Sequence, residues 1–166
     1  MTEHPFGGFW RRAMALFIDK MILLSIILMT LFVGLLALWI GYPLPAGEFI
    51  PEDLMDLSVS FVIAYGLMTL LLHMMYFTYF HGTTGQTPGK MIFGLRVIQA
   101  TGENMTLGIA FLRWVGYFVS TFFCYLGFLW VAFDPKKRGW HDKIAGTVVI
   151  SRAPIEKYLD KEKDIL

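Results

Sequence analysis

The sequence has 166 residues and a single cysteine, Cys124. One thiol excludes an internal disulfide and a four-cysteine zinc site. In an apolar run its default role is a small buried hydrophobe. Charge is scarce as well: 16% of residues are Asp, Glu, Lys or Arg, and 56% are apolar. Soluble domains carry about 25% charged and roughly 45–50% apolar residues. One domain of this length has too little interior to hide so much apolar surface, so the composition calls for lipid as solvent. The net charge of +1 offers no footprint for nucleic acid, and none is expected as a partner.

No lysine or arginine lies between Lys20 and Lys90, a gap that holds Glu48, Glu52, Asp53 and Asp56. Beyond Phe133 come Lys136, Lys137, Arg138, Lys143, Arg152, Lys157, Lys161 and Lys163. Lys and Arg stay on the cytoplasmic side of a membrane, so this pattern orients the chain. It places the N-terminus, the 83–90 turn and the tail after Asp134 in the cytoplasm, with 41–56 outside. A cleavable signal peptide is not expected. The apolar run after Arg11 and Arg12 outlasts an h-region of about 7–15 residues, and no A-x-A-like site follows.

Met21 to Ile40 is the clearest span. At about 1.5 Å per residue its twenty residues cover roughly 30 Å, one hydrocarbon core. The helix is expected to start near Phe9 or Trp10, with Trp10 and Trp39 as interfacial anchors. Pro43 and Pro45 break it. A second span runs from about Leu57 to Phe80 and ends in Tyr76, Phe77, Tyr79 and Phe80, which read as an aromatic belt. Residues 81–90 read as a turn. Leu95–Ala100 and Thr147–Ser151 read as short strands, β-branched or alternating, that pair with each other beneath the membrane.

The third apolar stretch, Leu107 to Phe133, contains Arg113. A single straight span here sends the basic tail outside, against the charge rule. A bent stretch, with two short helices around Cys124 to Gly127, returns the chain to the cytoplasm and is favoured. One ordinary span stays open as the alternative, since Trp114 to Phe133 is long enough. The expected fold is thus an all-α membrane protein. It has two full transmembrane helices, a third apolar segment that is re-entrant, broken or a span, and a small cytoplasmic β pair. Residues 9–152 form the membrane domain and 153–166 a charged cytoplasmic tail.

Gly85-Gln-Thr-Pro-Gly89-Lys90 departs from a phosphate-binding loop, because Thr84 stands where that motif needs glycine and Met91 follows the lysine. His141 and Asp142 are adjacent, a poor arrangement for ligating one metal ion, and no metal or cofactor is expected. His73, within the second span, is either hydrogen-bonded across helices or a proton or ion group. Arg12 and Asp19 lie two turns apart on one helix face, about 10 Å along the axis. Arg11 and Lys20 flank this pair on the same helix. Asp19 has too short a stem to reach the headgroups, so it needs a partner or water. Arg113 reads as a positive-inside anchor. No nucleophile elbow or H-E-x-x-H is present, and an enzyme is not expected.

Three segments, in order, resemble the RDD family. Phe9-Trp-Arg-Arg-Ala-Met-Ala-Leu-Phe-Ile-Asp19 resembles its opening. Gly85-Gln-Thr-Pro-Gly-Lys90 and Gly94-Leu-Arg-Val-Ile98 resemble its middle. Trp130-Val-Ala-Phe-Asp-Pro135 and His141-Asp-Lys-Ile-Ala-Gly-Thr147 resemble its close. The resemblance spans Phe9 to Ile150 and puts the family's Arg, Asp, Asp triad on Arg12, Asp19 and Asp142. It implies a multi-pass protein of the bacterial cytoplasmic membrane. It also implies either transport of ions or small solutes, with cation/proton antiport proposed for some members, or a non-catalytic scaffold or assembly role. Under transport, Asp19 takes the cation or proton, Arg12 tunes it and Asp142 closes the cytoplasmic side. His73, Lys20, Arg113 and His141 are accessory candidates. The chain is short for enclosing a path alone, so a homo-oligomer in the lipid bilayer is expected. Arg12, Asp19 and Asp142 are expected to form one charge cluster, in which the Arg12 guanidinium bridges the loop of Asp142 to the first helix and Asp19 lies deeper, facing protein or water.

Overall fold

A computed structural model describes residues 6–41 and 52–151. The expected outer loop, apart from its last residues, and the charged tail lie outside the described residues. The chain divides into two compact units, Met21–His73 and the remainder. Two long helices, α1 (Phe9–Gly41) and α2 (Glu52–Thr84), run through both.

The unit Met21–His73 is an antiparallel pair of helix segments. Tyr65 donates its hydroxyl to the Ile27 carbonyl, and Gly34 lies so close to Phe61 that a Cβ would sit 2.9 Å from the ring. Large apolar side chains such as Met29, Phe32, Leu35, Val62 and Ile63 face outward. α1 and residues 56–84 are long and apolar enough to cross a membrane, and such an exterior is stable only in lipid. Trp10 and Trp39 are both exposed, as interfacial anchors would be. The second helix is longer than the sequence pattern indicates. It opens at Glu52. It also continues through residues 81–84, where Thr83 and Thr84 bond back to the Tyr79 and Phe80 carbonyls.

In the other unit the true turn is only residues 85–87. Gly85 adopts φ +69° and accepts from the Val97 amide. Thr87 then caps a short helix, α3 (Pro88–Ile92), with Pro88 at its first turn. β1 (Leu95–Gln99) follows and pairs antiparallel with β2 (Thr147–Ser151), with Leu95 opposite Ser151 and Gln99 opposite Thr147. The expected strand pair is therefore present. Both its faces are covered: Leu95, Val97 and Val149 pack with Ala15, Met105 and Ala110, while Ile98, Val148 and Ile150 meet Phe6 and Ala100.

Between the strands lie α4 (Leu107–Phe122), α5 (Leu126–Leu129), a 3-10 turn (Trp130–Ala132) and α6 (Trp140–Ile144). The third apolar stretch is broken, bending by 110° between α4 and the segment Leu126–Ala132. Cys124 and Tyr125 take positive φ values, 49° and 61°, which a continuing helix cannot accommodate. Gly127 permits the bend, since a Cβ there would overlap the Ser120 hydroxyl. Cys124 is exposed at the bend, not buried as its apolar surroundings indicate. Because β1 precedes α4 and β2 follows α6, the excursion returns to the sheet it left. That pairing excludes one straight span from Leu107 to Phe133.

α4 is inverted relative to a soluble amphipathic helix. Arg113, Tyr117 and Ser120 face inward, while Phe111, Leu112, Val115, Phe118 and Phe122 face out. The 3–4 residue spacing of the polar set gathers it on one stripe. The aromatic cluster at the end of α2 is likewise not a uniform belt. Tyr79 is exposed, but Phe77 is fully buried with its ring 5.3 Å from that of Tyr117.

Candidate functional site: a buried carboxylate between two arginines

The inward stripe of α4, the start of α1 and α6 converge on Asp142, which is fully buried. Gly139 precedes α6, and the Asp142 carboxylate accepts its amide at 2.9 Å. The same oxygen accepts Arg12 Nη1 at 2.9 Å, and the other oxygen is ion-paired with Arg113. Two guanidiniums thus share one carboxylate. Arg12 spends its remaining donors on backbone: Nε on the Gly7 carbonyl at 2.9 Å and Nη2 on the Val149 carbonyl at 3.1 Å. Arg113 also donates to Thr147 Oγ1 at 2.6 Å and to the Tyr117 hydroxyl at 3.3 Å. One carboxylate therefore joins α1, α4, α6 and β2. Only a planar, five-donor fork serves that many acceptors from a fixed position.

Burial would raise the Asp142 carboxyl, yet Arg113, His141 and Arg12 beside it outweigh that and hold it well below the usual carboxylate range. His141 packs between the Tyr117 and Phe128 rings, each 4.8 Å away. Burial pushes its pKa down to about 3, against an ordinary 6.5, and the neighbouring arginines add to this.

Asp19 is also fully buried, but it lies apart from this cluster. The expected bridge from Arg12 to Asp142 is present, and Asp19 faces protein, but Asp19 is not joined to that cluster: no ion pair links Arg12 and Asp19 among the described residues. Asp19 accepts the Tyr76 hydroxyl at 2.9 Å, the Gly89 amide at 2.8 Å and the Thr87 hydroxyl. Three neutral donors satisfy it without a cation, and they tie α2 and α3 to α1. The physical reason is reach. Two turns separate Arg12 from Asp19, and Arg12 turns instead toward Gly7, Val149 and Asp142. Gly89 allows the close approach, because a Cβ there would strike the Ala15 carbonyl.

A third polar contact joins the turn to α2. Lys90 Nζ lies 2.9 Å from His81 Nε2, while His81 Nδ1 meets the Phe77 carbonyl at 2.9 Å. Both side chains are buried. Lys20 is exposed, with its ammonium 5.3 Å from the Tyr125 ring centre. His73 is the last residue of the other unit. Tyr76, Thr87, His81 and Lys90 carry no sequence signal of their own, since tyrosine, threonine and histidine are routine at helix ends. Arg113 did carry one: an arginine six residues into an apolar helix needs a counter-charge.

Two outcomes follow. Asp142→Asn leaves two buried guanidiniums without a counter-ion, whereas Asp19→Asn disturbs only neutral hydrogen bonds. Asp142→Asn should cost about 3–5 kcal/mol of stability and Asp19→Asn about 1–3 kcal/mol. Thermal unfolding in detergent would contradict the assignment if the order were reversed. His141 and Asp142 both have folded-state pKa values below their unfolded ones, so the unfolded chain binds more protons in acid. Their stabilisation is complete above about pH 6.5. It is lost first as His141 alone protonates on unfolding, from 6.5 toward 3, and further below 3.8 as Asp142 follows. Melting temperature should fall between pH 7 and pH 4, and His141→Phe should flatten that slope; an unchanged slope would contradict the buried neutral imidazole.

Residues 6–146 match the RDD family. The chain is 30% identical over 153 residues to YteJ of Bacillus subtilis (strain 168), described as an uncharacterized membrane protein; the match covers 90% of this chain and 84% of YteJ. It is equally 30% identical over 153 residues to YxaI of the same organism, covering 89% of this chain and 98% of YxaI. The proline-rich antigen of Mycobacterium leprae (strain TN) is 36% identical over 73 residues, 43% of this chain and 29% of that protein. No solved structure matches. With its lipid-facing helices, its paired strands and its buried arginine–aspartate cluster, the chain belongs to the RDD family of membrane proteins.

Proposed function

We propose that the protein is a non-catalytic membrane scaffold or assembly partner, in which the family's Arg, Asp, Asp residues lock the fold. The observation that carries this reading is that both acidic residues are buried and already hydrogen-bonded within the protein. Asp142 holds two arginines and the Gly139 amide, and Asp19 holds three neutral donors. A group that binds and releases a cation needs a ligand position that the protein leaves open. The partners of this reading are further copies of the chain or another protein of the same bilayer. In this reading the paired strands and the turn before them are cytoplasmic, α4 and α5 dip into the bilayer from that side, and the membrane is the bacterial cytoplasmic one. The clustering of lysine and arginine outside residues 21–89 supports that orientation.

Cation or proton transport is the second reading. It is favoured by the depth of Asp19, a carboxylate inside the first span with two hydroxyl oxygens, Tyr76 and Thr87, at hand. One set of preparations separates the two. In a Cys124→Ser background, Glu48→Cys should react with an impermeant thiol reagent on intact cells and Lys161→Cys should not. Proteoliposomes of the purified chain should then show no sodium- or potassium-dependent proton flux above protein-free vesicles. Flux that Asp19→Asn abolishes while leaving the fold intact would overturn the scaffold reading, and labelling at Lys161→Cys would overturn the orientation.

A further inference from the structure

A cavity of about 290 Å³ lies beside the Asp142 cluster, wholly within the strand-bearing unit. Its wall is mostly apolar, yet four cationic residues line it, Arg12, Lys20, Lys90 and Arg113, and no carboxylate does. The two arginines share Asp142, which does not line the cavity, so that cluster keeps one net positive charge. Lys90 has no carboxylate partner among the described residues. It is buried, it has no carboxylate within 4 Å among the described residues, and its ammonium meets one acceptor, His81 Nε2, leaving two N–H donors unspent. A buried ammonium without a counter-charge is costly, and an anion in the adjoining cavity relieves that cost.

The rest of the lining says what kind of anion. Phe17, Tyr125 and Leu129 line the cavity and are themselves about half exposed. They stand on α1 and at the α4–α5 bend, elements that also expose Met14, Phe122 and Phe123 along with the charged Arg11 and Lys20. The Lys20 ammonium rests against the Tyr125 ring at that rim. The opening therefore looks toward the bilayer with a cation at its edge. We propose that this cavity binds the anionic head of a membrane amphiphile. A phosphate head sits against Lys90, and the first carbons of its chain leave between Phe17, Tyr125 and Leu129. The volume is at the small end for ligand sites, which admits a phosphate with a glycerol-sized group and excludes a bulky sugar head. The charge set is a receptor for the head alone, and the apolar rim requires the chain.

The test uses the full chain in a nonionic detergent, titrated with lysophosphatidic acid, lysophosphatidylcholine and inorganic phosphate, with native mass spectrometry counting bound molecules. Lysophosphatidic acid should bind one to one, at least tenfold more tightly than either of the others. Equal binding of lysophosphatidylcholine would mean that the chain alone partitions there. Equal binding of inorganic phosphate would assign the site to a free anion; either result overturns the proposal. Lys90→Gln keeps a donor toward His81 and removes the charge, so it should weaken lysophosphatidic acid about tenfold or more, the loss expected for a charge-assisted hydrogen bond. Leu129→Trp narrows the rim without touching a charge and should weaken lysophosphatidic acid while leaving phosphate unchanged. Should Lys90→Gln fail to fold, Leu129→Trp decides: undiminished lysophosphatidic acid binding by that variant would refute the site.

Discussion

The strand-bearing unit depends on a single carboxylate held between two guanidiniums. Asp142 is buried, and removing one partner of a buried pair costs about 3–5 kcal/mol. Arg12 and Arg113 offset the burial of its charge, and in doing so they link α1, α4, α6 and β2. α6 has five residues and each strand has five. Helices and strands so short do not hold their positions by propensity. They are held here because Asp142 caps α6 through Gly139 while its two oxygens reach α1 and α4.

This arrangement turns a soluble domain inside out. The inward stripe of α4 carries arginine, tyrosine and serine, and the outward one carries phenylalanine and leucine. In water, hydrophobic burial would order the unit. In lipid the outward residues gain nothing by turning in, and the polar network supplies the specificity instead. Asp19 serves the same end two turns further along α1. Its three donors come from α2, Thr87 and Gly89, so it fixes where the second helix ends and the short helix begins.

Much of this was legible in residue order. Twenty residues from Met21 to Ile40, interrupted only by Ser25, Thr30 and Gly34, announce a span. The β-branched run at 147–150 announces a strand, and the charge conflict in the third apolar stretch announces its bend. What was not legible is how an arginine chooses between two aspartates. Arg12 and Asp19 share a helix face, yet the backbone carbonyls of Gly7 and Val149 draw the guanidinium toward Asp142, a contact 130 residues away. Periodicity reports which face a side chain occupies, and it carries no information on the acceptors that tertiary folding delivers there. Arg113 shows the same limit: its isolation in an apolar helix signals a partner but not which one. The left-handed backbone at Cys124 and Tyr125 had no glycine to mark it.

Coupling between Arg12 and Asp142 tests the account most directly. Unfolding free energies of Arg12→Gln, Asp142→Asn and the double variant form a closed cycle. A buried, hydrogen-bonded charge pair predicts that the double variant loses less than the sum of the single losses, by more than about 1 kcal/mol. Additive losses would mean that the two residues stabilise the fold independently, and the carboxylate between two arginines would not be what holds these elements together.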